Sequence, residues 1–275
     1  MDSRSFLGLE PTKNPFRWAM PVDRELCTLE GFLFGGAGLG AAISALEGTS
    51  GRQCVWATGQ YLSYAMADEF LDIDITVAVE GHQITQARAV GLVGNREILT
   101  VNAALGDRPG MPEGQWAQMA SVPPPSQCPV REPHLPGATS IINRLEQRAI
   151  DWRAVEDLDG EIGDGHTRLW ARVPELIDGV DASALAILGD FVPMGVGQAL
   201  GIRGGGNSLD NTLRVVRLVP TQWVLLDIQI HAVERGFGHG LVQMYAEDGT
   251  LLATASQSCI VRFWKGWPPT VVSGS

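Results

Sequence analysis

Gly81-His82-Gln83-Ile84 opens a run that reaches Val93-Gly94-Asn95 and resumes at Ile98-Leu99-Thr100-Val101. Gly238-His239-Gly240-Leu241 opens a second run that reaches Glu247-Asp248-Gly249 and resumes at Leu251-Leu252-Ala253-Thr254. Each reads as a strand, a tight turn and a returning strand. Working outward, the first hairpin takes in Gln83–Val93 and Glu97–Leu105. Before it stand strand patterns at Cys54–Tyr64 and Ile73–Glu80 and a Gly/Ala-rich helix pattern at Phe34–Leu46. The second hairpin, Phe237–Tyr245 with Thr250–Phe263, follows strand patterns at Ser208–Leu218 and Trp223–Val233. An apolar helix pattern precedes them at Asp181–Leu200, which Pro193 must bend or restart. Gly201–Gly206 reads as a loop and Thr167–Val173 as a short strand. Met1–Glu30 reads as an irregular arm and Ile141–Gly165 as a polar stretch.

Both halves thus run from a buried helix to a strand and then to three more strands. A repeat of this kind predicts an α+β fold in which two antiparallel sheets join into one long sheet, each wrapping a central helix. That arrangement is a double hotdog; a coincidental likeness between two α+β halves is the alternative. A composition break at Gly106–Gly137 carries Arg108-Pro109-Gly110 and Val122-Pro123-Pro124-Pro125. The prolines predict an extended connection. The expected organisation is an arm and first hotdog over 1–108, a Pro-rich linker over 109–140, and a second hotdog over 141–275 that carries the catalytic residues.

The chain has 275 residues, 45% hydrophobic and 19% charged, enough apolar material for two cores. Lys and Arg total 20 against 31 Asp and Glu, a net charge of −11, which argues against nucleic acid and anionic membrane surfaces as partners. The longest uncharged stretch, Gly31–Leu46, is too short and glycine-rich to span a membrane. Met1–Ser5 leads into no apolar signal core. Cys27, Cys54, Cys128 and Cys259 form no C-x-x-C pair. These features predict a soluble, reduced, cytoplasmic protein without cofactor or metal. Further association of protomers is expected if the long sheet leaves an apolar face or edge exposed.

Gly36-Ala37-Gly38-Leu39-Gly40-Ala41 fits the G-x-G-x-x-A dinucleotide pattern, but only Phe32-Leu33-Phe34 precedes it and no acid closes the next strand. Small residues that let a helix approach its sheet closely are the structural reading. The functional one is that backbone N–H groups of Gly36 and Ala37, at a helix start, polarise a carbonyl. No G-x-S-x-G or H-E-x-x-H occurs, and the five histidines share no metal spacing. Asp210 opens one strand and Gln257 interrupts an apolar one. On neighbouring strands a carboxylate and an amide can hold one water, the carboxylate taking its proton. Ala104 and Thr58 stand at the matching places of the first half. Each residue alone also reads plainly, Asp210 as a turn cap and Gln257 as a solvated edge residue.

At these residues the chain resembles the acyl-CoA thioesterase II family of double-hotdog enzymes. Leu33-Phe34-Gly35-Gly36 is similar to its lead into the first helix, and Gly81-His82-Gln83-Ile84 with Arg88-Ala89-Val90 to its first-half strand. Ser208-Leu209-Asp210-Asn211, Trp223-Val224-Leu225-Leu226, Arg235-Gly236-Phe237, Asp248-Gly249 and Gln257 follow in family order. The resemblance implies hydrolysis of fatty acyl-CoA to fatty acid and coenzyme A by direct attack of water. It implies Asp210 as general base and Gln257 as the amide that holds the water. The middle residue, Ser or Thr in the family, falls near His231, with Gln229 a competing match because this stretch is shorter here. Asn211 and Val79-Glu80 also depart from the pattern. Coenzyme A phosphates would stay in solvent or meet a basic pair such as Arg214 and Arg217. An enoyl-CoA hydratase would want a His five residues after Asp210, where Val215 stands. A protein that binds acyl-CoA without cleaving it is the rival of another class.

Overall fold

Apolar residues at alternate positions give most of the strands one buried and one open face. In the computed structural model, which describes residues 1–132, 137–177 and 179–264, twelve strands make one antiparallel sheet. The first half supplies β1 (Glu10–Pro11), β2 (Arg17–Pro21), β3 (Cys54–Tyr61), β4 (Phe70–Glu80), β5 (Ile84–Val93) and β6 (Arg96–Gly106). The second supplies β7 (Glu146–Asp151), β8 (His166–Arg172), β9 (Gly204–Val215), β10 (Val224–Glu234), β11 (Phe237–Ala246) and β12 (Leu251–Phe263). Their order is 1-2-4-5-6-3-9-12-11-10-8-7. Read inward from either end it has one pattern, and the halves meet where β3 pairs with β9. Thr58 and Thr212 are direct partners there, with hydroxyls 2.6 Å apart. The expected single long sheet is therefore present.

Helices α1 (Ser3–Leu7), α2 (Gly35–Ser50), α3 (Ile141–Arg144), α4 (Ala182–Leu188) and α5 (Val192–Leu200) complete the order. The central ones, α2 and the α4–α5 pair, lie on the inner face. Pro193 restarts the second central helix rather than bending it: α4 ends at Leu188 and α5 begins at Val192 with the proline in its first turn. The run Ala182–Leu200 is long and apolar enough to cross a membrane, and here it is mostly buried core.

The small residues of α2 serve a second contact beside the expected one with the sheet, where Gly48 meets Trp18 of β2 and Gly38 meets Leu99 of β6. A Cβ on Gly36 would stand 2.7 Å from the Ala186 carbonyl oxygen, and one on Gly40 would stand 2.8 Å from that of Ser183. Gly36 and Gly40, one turn apart, thus let α2 cross α4 backbone to backbone. Ser183 Oγ donates to the Gly40 carbonyl at 2.6 Å across the same crossing. Gly38 points elsewhere, its virtual Cβ 3.5 Å from a Leu33 methyl.

Three segments differ from their sequence reading. The N-terminal arm is not irregular: β2 pairs with β4, and Trp18 covers Gly48 and donates to Thr49 at 2.9 Å. The polar stretch after Ser140 holds α3 and the edge strand β7. The glycine loop is shorter than expected, because β9 begins at Gly204, opposite Phe263. The proline-rich connection is extended and docked. Trp170 Nε1 donates to the Pro123 carbonyl at 2.9 Å and Leu251 N–H to Gln115 Oε1 at 2.8 Å. Cys128, Ala117, Met119 and Val122 pack with Trp170, Leu225, Tyr245 and Leu251 in a second, smaller core.

The helix crossing makes a contrast that urea unfolding can measure. Gly40→Ala should destabilise by about 1–3 kcal/mol through overpacking against fixed backbone. Gly38→Ala, with ordinary van der Waals room, should stabilise by roughly 0.5–1 kcal/mol by restricting the unfolded chain. Equal midpoints for the two variants would show that the crossing is not tight.

Candidate active site

The break between α4 and α5 leaves Asp190 at the junction, 3% exposed in the middle of the core. A carboxylate there must be hydrogen-bonded to stay charged. Its partners come from three elements. Gly36 N–H, in the first turn of α2, donates to Asp190 Oδ2 at 2.6 Å. Phe34 caps that helix without a side-chain hydrogen bond, so first-turn N–H groups are free to reach outward. Gln257 Nε2 on β12 donates to Asp190 Oδ1 and to Ser208 Oγ. Ser208 Oγ on β9 donates in turn to Asp190 Oδ1 at 3.4 Å. Burial pushes the Asp190 carboxyl up to about 7, while the bonds from Gln257, Gly36 and Ser208 pull it back down.

Tyr61 enters the same region from β3. Its hydroxyl and Asp190 Oδ2 stand 3.2 Å and 2.8 Å from the point that a Cβ on Gly35 would occupy. Asn211 is the direct ladder partner of both Gln257 and Gly59 and is 1% exposed. A carboxylate near neutral affinity, an amide and a hydroxyl in one buried cluster can bind a water and accept its proton.

The sequence-derived candidates fall unevenly on this geometry. Gln257 is at the centre. Asp210 is on the adjoining strand, near enough for its charge to act on Tyr61 but bonded elsewhere. Its ladder partners are Ser258 and Gln60, and its carboxylate accepts the Ser258 N–H at 2.9 Å. That bond sits at a register shift between Ser258 and Cys259, where β9 advances from Asp210 to Ser208. His231 does not reach Gln257. It occupies a bulge in β10 between Ile230 and Ala232, and its ring is exposed, as is Gln229. The N–H of Gly36 is committed to Asp190, so it holds the carboxylate and is not a free donor to a carbonyl; Ala37 beside it is fully buried. Thr58 faces Thr212 rather than Asp210. The counterpart of Gln257 is Ala103: Thr58 pairs with Asn102 as Thr212 pairs with Ser256, and the next residues are Ala103 and Gln257. Arg217 is paired with Glu113 of the connecting segment.

Asp190 and Tyr61 escaped the sequence reading. A lone acid inside the apolar run Asp181–Leu200 was the available signal for the first. Among the described residues no three of His, Cys, Asp and Glu gather closely enough to hold a metal ion, and His134 lies outside those residues.

The sequence of residues 110–261 matches the family model described as the acyl-CoA thioesterase C-terminal domain. No curated protein matches the chain. Among solved structures, a candidate thioesterase from Novosphingobium aromaticivorans is 31% identical, with a TM-score of 0.82 over 93% of this chain and 98% of its own. A hotdog-fold protein of unknown function from Alicyclobacillus acidocaldarius is 19% identical, with a TM-score of 0.81 over 94% and 97%. The acyl-CoA thioesterase II of Mycobacterium marinum is also 19% identical, with a TM-score of 0.73 over 96% and 100%; these last two likenesses show the fold. With more than half its length matching one family model and a related structure aligned almost end to end, the chain belongs to the acyl-CoA thioesterase family of double-hotdog proteins.

Proposed function

We propose that this protein hydrolyses fatty acyl-CoA to a free fatty acid and coenzyme A by direct attack of water on the thioester. The observation that carries this reading is the buried Asp190 carboxylate, held by Gln257 and raised to about 7. A general base works best when its proton affinity lies near the working pH. Among the described residues Gln257 Oε1 has no partner, so it is an acceptor free to orient a water whose other hydrogen faces Asp190. The resemblance asks for a hydroxyl at the middle position on β10. Ser208 supplies one to the Gln257 amide from β9 instead.

In this reading the base is Asp190 and not Asp210. Asp210 is a positioning residue, because its bond to Ser258 N–H holds the bulge that turns Ser208 inward. A reduced, cytoplasmic setting agrees with four cysteines that are all free and buried.

Thiol release from short, medium and long acyl-CoA tests the function, and no release from any of them sinks it. Asp190→Asn should lower kcat by about 10²–10⁴-fold, the usual contribution of a general base. Asp210→Asn should cost less, and the reverse ranking would return the base role to Asp210.

Protonation of Asp190 should also appear in pH profiles. The rate should climb through about pH 7 as the carboxyl loses its proton, on a limb that Asp190→Asn lacks. Stability moves the other way. Between the ordinary carboxyl value of 3.8 and about 7 the folded protein keeps a proton that the unfolded chain releases. Stability from this group is therefore highest at low pH, falls as pH rises through that window and levels off above it. Urea midpoints of wild type relative to Asp190→Asn should decline between pH 5 and 7.5; a flat difference contradicts the raised affinity.

A further inference from the structure

Polar atoms beside the Asp190–Gln257 pair lack any partner among the described residues: the Tyr61 hydroxyl, Gln257 Oε1 and both side-chain polar atoms of Asn211. Buried groups of this kind are retained where a ligand or water completes them. Their chemistry divides cleanly. Gln257 Oε1 accepts, which suits a water hydrogen. Tyr61 donates. Burial, and then the charges of Asp190 and Asp210, push its phenol well above the ordinary value of 10, so it remains an O–H donor throughout the neutral range.

An attacked thioester also needs a donor for its carbonyl oxygen, which becomes an oxyanion in the tetrahedral state. Of the two backbone donors that the helix start would offer, Gly36 and Ala37, the Gly36 N–H is already taken by Asp190. A Cβ on Gly35 would stand 2.8 Å from Asp190 Oδ2 and 3.2 Å from the Tyr61 hydroxyl, so the bare glycine is what lets these two groups stand beside the start of α2. Tyr61 comes to this side of Asp190 from the first half of the chain, the half whose own copy of the cluster has Ala103 in place of the amide.

We propose that Tyr61 is a catalytic residue of this site, donating its hydroxyl hydrogen bond to the thioester carbonyl oxygen as water adds. This rests on the thioesterase reading above. The water oxygen bonds to the carbonyl carbon, its proton passes to Asp190, and the carbonyl π pair moves onto the oxygen facing Tyr61. Collapse re-forms the carbonyl, breaks the carbon–sulfur bond and returns the Asp190 proton to the leaving thiolate, giving fatty acid and free coenzyme A. The substrate is bound across both halves, with base and amide from the second and the oxyanion donor from the first.

Tyr61→Phe removes one oxygen and no packing. It should lower kcat by roughly 10²–10³-fold, the range for loss of one oxyanion donor. The rise through about pH 7 should persist at a lower plateau, because it belongs to Asp190. Affinity for a non-hydrolysable thioether analogue of the acyl-CoA should change by no more than about threefold, since that analogue has no carbonyl oxygen for the hydroxyl to meet. The melting temperature should hold or rise, because an unpartnered buried hydroxyl has gone. A kcat within about threefold of wild type overturns the assignment. So does a fall in melting temperature together with lost analogue binding, which would mark Tyr61 as structural. If Asp190→Asn is inactive while Tyr61→Phe is not, this inference fails alone; if wild type releases no thiol, the underlying reading fails.

Discussion

One hydrogen bond, from Gly36 N–H to the Asp190 carboxylate, ties the two halves together at the point where both central helices are least regular. Removing a carboxylate from water costs far more than one bond returns, so its surroundings must supply several donors at once. Three do so here, from the start of α2, from β9 and from β12. Each depends on a separate local device. Pro193 separates α4 from α5 and leaves Asp190 at the joint. The register shift in β9 turns Ser208 toward the helices. Bare glycines on α2 let its backbone come close enough for an amide to reach the acid. The fold and the site therefore share one constraint, because the crossing that packs the core also places the carboxylate.

The sheet is nearly symmetric about the Thr58–Thr212 contact, yet the polar cluster is not. Gln257 faces the helices in one half and Ala103 stands in its place in the other. A symmetric scaffold thus carries one such cluster, and the first half contributes the helix start and Tyr61 to its surroundings. The docked connection adds to the asymmetry, since Trp170, Leu225, Tyr245 and Leu251 are covered by a segment that comes only once in the chain.

Alternation made β3 to β6 and β9 to β12 legible in the sequence, and glycine turns marked where they reverse. β2 was not legible, because five residues with a proline make no pattern without β4 beside them. Gln257 could be found because an amide breaks an otherwise apolar strand. Asp190 could not be placed: its partners lie 154, 67 and 18 residues away on other elements, so in the sequence it is only an acid inside an apolar run. His231 stands in a bulge of β10 that spacing alone does not reveal, and there it is exposed. The glycines of α2 read as close-approach residues to the sheet, but Gly36 and Gly40 meet the other helix, which only tertiary structure identifies.

A chain made from its N-terminus acquires these parts in a fixed order: Gly36 and Tyr61, then Asp190, then Ser208, and Gln257 after all of them. Until α4 and α5 have been synthesised, the glycine face of α2 has no helix to cross and its first-turn amide has no acid to hold. The β3 edge likewise has no β9 to pair with. During that interval the nascent first half presents a bare apolar helix face beside an unpaired strand, the kind of surface that chaperones shield and that neighbouring chains can invade. The duplicated design thus carries a translational hazard that two separately folding domains would avoid.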